Sequence, residues 1–492
     1  MLSISKGLLV TIILLESILI NAEEIVIVCP CNSHLYTTET FAQNLLEAGF
    51  KVTYITSQKC ENRVRGFGAN VYNSKKWETA VKVDDSVGYE ANMKIIAFYR
   101  EITELAIEET LQMLEVSAKK PDAIFSDFFI ASCAIVAEKF NIPYATLYFT
   151  TMDTYQVSKE RAFLAAHVGI DDNSNAVTHF LSEVIFQTGM RFFYYGCIDK
   201  INAKRRELGL KDEFNSDSHL MGSYPQFTLL SPKYQRSSKD AAISLGIFPS
   251  KQDAATTPLS EEIKEFIKKS NKDILYISFG SELRPSEDIL ESLVKYLSQQ
   301  NNYDIIFARY PFKKLQAPTN ILAQDYVAQR SLLRSPRVKI FLSHCGLNSL
   351  IEAIESETVL ICLPLGRDQF FSSFGVVNAG IGVNISYPVT EKSIVGEFQE
   401  VHTEYDKFRR TIKREKEELY GMNGVSIVKQ FISENANRST RIYKEDDFTN
   451  FRLFFVCSVL FLVLCIPITA CIGCIICARN CLKKSPKATK ME

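Results

Sequence analysis

The chain has no net charge to speak of and no stretch dominated by one sign. Its 56 Lys and Arg stand against 57 Asp and Glu, a formal charge of −1. The mixing excludes the basic face of a nucleic-acid-binding protein. Internal repeats and low-complexity stretches are also missing, which excludes solenoids and repeat arrays. Of 13 cysteines, six (Cys457, Cys465, Cys471, Cys474, Cys477 and Cys481) crowd into or just after one apolar run near the end. Their spacing resembles a metal motif, but in such a run core-facing thiols, or palmitoylation near Cys477 and Cys481, fit better. The other seven are an odd number and are scattered singly apart from Cys29 and Cys31. No disulfide framework is expected.

Long hydrophobic runs are confined to the two ends. Residues 1–22 carry one Lys, an apolar run from Gly7 to Leu15 and the small-residue end Ile20-Asn21-Ala22, the pattern of a secretory signal peptide cleaved after Ala22. Leu453 to Ala478 is uncharged and apolar, and a run of roughly 20 such residues spans a bilayer core. Arg479, Lys483, Lys484, Lys487 and Lys490 follow it, a basic tail expected to stay cytosolic. The body is therefore expected to be lumenal, in a single-pass type I arrangement. Asn384-Ile385-Ser386 and Asn437-Arg438-Ser439 are glycosylation sequons, although Asn384 is expected to end a buried strand.

Between the ends, short β-rich apolar runs alternate with helical stretches. The expected strands are Ile25–Cys29, Val52–Thr56, Ala123–Ser126, Tyr144–Phe149 and Phe227–Ser231, then Ile274–Phe279, Asp304–Phe307, Lys339–Leu342 and Val359–Leu363. Near-continuous apolar strands separated by helices imply parallel sheets covered on both faces. The expected fold is α/β, with two doubly wound Rossmann-like domains facing across a cleft, plus one C-terminal transmembrane helix. The expected divisions are a leader (1–22), a first domain (23–245), a second domain (246–450), a membrane helix (451–478) and a tail (479–492). The joint is placed in the polar stretch from Gly246 to Pro258, and the charged segment Glu404 to Leu419 reads as a surface helix.

The richest segment runs from Phe341 to Asn384. A strand leads through Ser343-His344-Cys345-Gly346 into a helix carrying Asn348, Ser349 and Glu352, and a second strand ends at Pro364-Leu365-Gly366-Arg367-Asp368-Gln369. A helix N-terminus after a strand offers free N–H groups and a positive dipole end, which suit a diphosphate. His344, Asn348 and Ser349 can add donors, and Glu352, one turn deeper, can accept from ribose hydroxyls. Asp368 and Gln369 could hold sugar hydroxyls. The set suits a nucleotide sugar.

With His-x-Gly-x-Asn-Ser-x-x-Glu followed by Asp-Gln, the chain resembles the UDP-glycosyltransferase family, including its membrane-bound animal glucuronosyl- and glucosyltransferases. The resemblance is close over this segment and looser over nearly the whole chain. It implies a two-domain fold of the GT-B type, a UDP-sugar donor, a small lipophilic acceptor and inverting, metal-independent transfer with no cofactor. No Asp-x-Asp motif occurs. It also implies that His34, just beyond the first strand, is the general base. Asp127 closes another strand on the same edge and is its expected partner. Tyr326 would stack on uracil and Gln329 would bond to the nucleoside; Gly280 and Ser281 would approach the phosphates. A late helix, which the segment 404–419 could include, would brace the first domain. Endoplasmic-reticulum membrane residence follows from the resemblance, though only one Lys stands in the dilysine window of the ending Lys487–Glu492. A homo-oligomer is compatible with the sequence.

Departures accompany the likeness. The family usually has Gly where Cys345 stands, and a side chain there would crowd the diphosphate or strain the turn if φ is positive. Leu347, Tyr326, Ala328 and Ser372 stand where the family has an aromatic, Trp, Pro and Asn. A weakly catalytic nucleotide-sugar or lipophile-binding protein, and more distantly a single-pass receptor, remain as alternatives. The sugar, glucose or glucuronate, is open: Arg367 could pair with a glucuronate carboxylate or simply face solvent.

Overall fold

The computed structural model describes residues 23–29, 32–74, 77, 89–147, 198–214, 217–234, 242–248, 257–269, 271–280, 283–309, 320–366 and 369–442. The expected leader, membrane helix and tail lie outside these residues, as do Ser281, Arg367 and Asp368. Among the described residues no helix is long and apolar enough to cross a membrane.

Two parallel sheets are built from strands that are apolar on both faces. The first contains β1 (Glu24–Val28), β2 (Lys51–Ser57), β3 (Asn70–Ser74), β4 (Ala123–Asp127), β5 (Tyr144–Leu147), β6 (Gln226–Thr228) and β7 (Ile243–Ser244), in the order β3-β2-β1-β4-β5-β6-β7. The second contains β8 (Asp273–Ser278), β9 (Tyr303–Ala308), β10 (Ile321–Gln324), β11 (Val338–Ser343), β12 (Val359–Cys362) and β13 (Gly382–Asn384), in the order β10-β9-β8-β11-β12-β13. Each sheet reverses its winding direction once, between β1 and β4 in the first and between β8 and β11 in the second. Ligands of open α/β sheets bind at the carboxyl ends of the strands flanking such a reversal.

All nine expected strands are present, within a few residues. The nine leave out β3, β7, β10 and β13, all four at a sheet edge, although the end of β13 at Asn384 was anticipated. An edge strand is covered less completely, so short or polar sequences such as Asn-Val-Tyr-Asn-Ser suffice there and carry little apolar signal.

The helices that matter for the site are α1 (Asn32–Glu47), α2 (Gln329–Leu333), α3 (Leu347–Ser356), α4 (Gln369–Asn378), α5 (Glu391–Gly421) and α6 (Gly424–Asn435). The expected surface helix over 404–419 is the second half of α5. It is not simply superficial: Phe408, Ile412, Glu415 and Leu419 are buried. Its Glu415 receives Lys233 at 2.9 Å, and α6 adds to this bracing, with Phe431 packed on Phe125 of β4 and Phe227 of β6 at 6.0 and 5.2 Å between ring centres. The expected joint begins as packed chain, since Ile247 N–H donates to Leu419 O at 3.2 Å.

Beyond α6 the chain is pinned to the first sheet. Tyr144 N–H donates to Thr440 Oγ1 at 3.0 Å, and Ile442 N–H donates to Ser223 O at 2.7 Å. Glu138 receives Arg205 at 2.6 Å and Arg441 at 3.2 Å, with Tyr224 O–H at 2.8 Å. Burial pushes Glu138 upward, but Arg205, then Tyr224 and Arg441, outweigh it and hold its carboxyl below the usual range. Leaving either partner alone in such a site would strand a buried charge.

Candidate functional site

The first sheet places two residues at its reversal. β1 ends at Val28 and α1 begins at Asn32, so His34 sits in the first turn of the helix, above the neighbouring strand end. Asp127 is the last residue of β4 and is fully buried. His34 Nδ1 is in hydrogen-bond contact with Asp127 Oδ2. The imidazole also stacks on Phe128, with ring centres 5.8 Å apart and planes 19° off parallel. The family resemblance, together with the strand-end position of Asp127, led sequence reasoning to this pair. Phe128, which follows Asp127 directly, was not singled out.

The second sheet places its own set at its reversal. After β8, Gly280 turns the chain with φ of 73°. After β11, the loop 344–346 leads into α3, whose N-cap is Gly346. The His344 ring lies between these glycines. A Cβ on Gly280 would stand 2.8 Å from its Cε1 and Nε2, and one on Gly346 would stand 2.6 Å from Nε2. Both positions therefore require glycine for the ring to keep its place.

Deeper in the same site, Gln329 opens α2 and organises its surroundings. Its Oε1 accepts from Tyr276 O–H at 3.1 Å, while Nε2 donates to Ser349 Oγ at 3.1 Å and to Glu352 Oε2 at 2.7 Å. Both amide ends are thus engaged within the protein, and the residue orients Glu352. Arg330 lies 3.8 Å from Glu352 and 3.2 Å from Glu355. Burial raises the Glu352 pKa, against the lowering influence of Arg330 and Gln329. Tyr326, in contrast, is 71% exposed at the rim, and a large ring left in solvent is an available stacking surface.

Gln369 is engaged differently from the expectation. Its Oε1 accepts from the N–H groups of Leu365 and Gly366, at 2.8 and 3.2 Å, and only 6% of the residue is exposed. Its carbonyl end braces the turn after β12. Ser281 and Asp368, also expected here, lie outside the described residues.

The absence of any disulfide, expected from the sequence, is overturned: Cys345 and Cys362 are bonded. Cys345 has φ of 56°, the left-handed turn that raised concern, yet both residues are fully buried. The Cys345 side chain therefore points into the protein and does not occupy the exposed side of the turn. Strand pairing brings the two cysteines together. The expected strands Lys339–Leu342 and Val359–Leu363 are neighbours, with Ser343 opposite Cys362.

A hydrogen bond joins the two sets. Thr37 Oγ1, one turn beyond His34 on α1, donates to Asn348 Oδ1 on α3 at 2.8 Å. The His34–Asp127 pair and the α3 N-terminus thus lie on the two sides of this contact.

Residues 247–401 match the family model for UDP-glucoronosyl and UDP-glucosyl transferase. An ecdysteroid UDP-glucosyltransferase of Lymantria dispar multicapsid nuclear polyhedrosis virus is 32% identical over 135 residues, 27% of this chain and 26% of that protein. The nuatigenin 3-beta-glucosyltransferase of Solanum aculeatissimum is 28% identical over 159 residues, 30% of this chain and 32% of that protein. The matches therefore take in about a quarter to a third of those relatives' lengths. In fold, the glycotransferase of kitacinnamycin superposes with a TM-score of 0.63 at 14% identity, covering 85% of this chain and all of that one. Arabidopsis thaliana UGT89C1 complexed with UDP gives 0.56 at 14% identity, covering 84% and 99%.

Proposed function

We propose that this chain, which belongs through its second half to the UDP-glycosyltransferase family, transfers a hexosyl or glucuronosyl group from a UDP-sugar to a hydroxyl of a small lipophilic acceptor. The observation that carries the reading is the facing of His34–Asp127 and the α3 N-terminus across the Thr37–Asn348 contact. Asp127 accepts a hydrogen bond from His34 Nδ1–H, which fixes the tautomer and leaves Nε2 as the base. Nε2 removes the acceptor proton as the oxygen attacks the anomeric carbon from the face opposite UDP, so the configuration inverts. Base assistance of this kind is worth about 10²–10⁴-fold.

The departing UDP gains negative charge. His344, Asn348, Ser349, Ser281 and the α3 N–H groups would receive it, a role for fixed donors that needs no metal. Glu352 would accept from the ribose, with Gln329 holding it, and Tyr326 would stack on uracil. Asp368 and the Nε2 end of Gln369 would orient the sugar. The lipophilic acceptor is supported by relatives named for ecdysteroid and nuatigenin glucosylation.

We further propose a type I protein of a secretory-pathway membrane such as the endoplasmic reticulum. Residues 1–22 and 451–478 support that placement, and a disulfide is a bond of oxidising compartments.

The test is donor consumption. Full-length protein in detergent is incubated with UDP-glucose or UDP-glucuronic acid and a panel of sterols and phenols, beside a His34→Ala control. Acceptor-dependent UDP release that falls at least about 10²-fold in the variant supports the reading. Release that is unchanged by the substitution removes His34 from the base role, and UDP binding with no consumption of either donor favours a binding protein.

A further inference from the structure

We infer that the Cys345–Cys362 disulfide is a positioning element of the donor site, holding the His344 loop in the turn that receives the diphosphate. The inference rests on the proposed binding of UDP at this loop.

Residue 345 lies between the two parts of that site. His344 precedes it, Gly346 follows as the N-cap of α3, and its own N–H donates to Ser343 Oγ at 3.0 Å. With φ of 56° it occupies the left-handed region, where a Cβ crowds the following carbonyl and only Gly is at ease. A non-glycine residue holds such a conformation when its surroundings impose it. Here the imposition is covalent. Cys362 ends β12, a strand enclosed between β11 and β13, and is itself fixed by Ile385 N–H donating to its carbonyl at 2.8 Å. The bond ties the turn to that rigid strand and turns the Cys345 side chain inward.

Burial decides between a switch and a brace. Both cysteines have no accessible surface, and exchange with a dissolved thiol requires access to sulfur. The bond therefore acts as a standing constraint.

Two double variants separate the covalent tie from the backbone conformation it enforces. Both Cys345→Gly/Cys362→Ala and Cys345→Ala/Cys362→Ala lack the disulfide. Only the second keeps a Cβ that disfavours the left-handed turn. UDP binding to the full-length protein in detergent is measured by titration calorimetry, with thermal melts alongside. The glycine variant is expected to bind UDP within about threefold of the parent, because glycine adopts the turn unaided. The alanine variant is expected to bind about five- to thirtyfold more weakly, since the competent turn becomes a minor state.

Alanine-variant binding equal to the parent, whatever its melting temperature, overturns the inference and leaves the donor reading intact. A parent protein that binds no UDP overturns both.

Discussion

Thr37 Oγ1 donates to Asn348 Oδ1 at 2.8 Å across 311 positions of sequence, and Thr37 is only 4% exposed. The bond does two things at once. It sets the approach of α1, which carries His34, to α3, which receives phosphate in the proposed reaction. Accepting at Oδ1 also turns the Asn348 amide so that its N–H donors point the other way.

Thr37→Val keeps the shape of the side chain and removes its hydroxyl. The net worth of such a bond is about 1 kcal/mol, or roughly fivefold. kcat/KM for the donor should fall by about that factor, and Thr37→Ser should restore it. Steady-state kinetics at varied UDP-sugar decide; a valine variant indistinguishable from the parent would show that the contact positions nothing.

Glu352 shows a conflict between stability and binding. Its raised pKa means that folding disfavours the carboxylate, so the stability it contributes is present in acid and lost as pH rises through the folded value. Above that value the ionised side chain is a cost to the free protein. Glu352→Gln should therefore raise the melting temperature at pH 7 while weakening UDP about tenfold or more, because a charged acceptor for the ribose is gone. Parallel melts and UDP titrations check both signs, and tighter UDP binding by the variant would be incompatible with the assigned role.

On α5, burial first and then neighbouring Glu400 push Glu397 up to about 7. Its folded value lies above the unfolded one, so its contribution holds in acid and disappears as pH climbs through about 7. The parent should lose thermal stability between roughly pH 5 and 8. Glu397→Gln should flatten that slope. Identical pH–melting curves for the two proteins would place the titration elsewhere.

Much of the architecture was legible because its signals are local. Strands such as Ile25–Val28 and Ile340–Leu342 are buried on both faces, so their burial appears as unbroken apolar runs. The loop 343–346 and the helix after it could be read as an anion site because strand, turn and N-terminus are contiguous. Even His34 and Asp127, 93 residues apart, could be paired by the rule that parallel strands bring their carboxyl ends to one edge.

The sequence by itself determined the parallel α/β order, the two strand-end clusters and the family they resemble. Only the tertiary structure decided that Thr37 meets Asn348, that Cys345 is bonded to Cys362, that α6 joins 404–419 in bracing the first sheet, and that the Gln369 carbonyl supports its own turn. The reason is one of range. Periodicity and turn chemistry are set by covalent neighbours within a few residues. Contacts between distant side chains depend on how whole elements pack, on strand register and on the rotamers that packing leaves open.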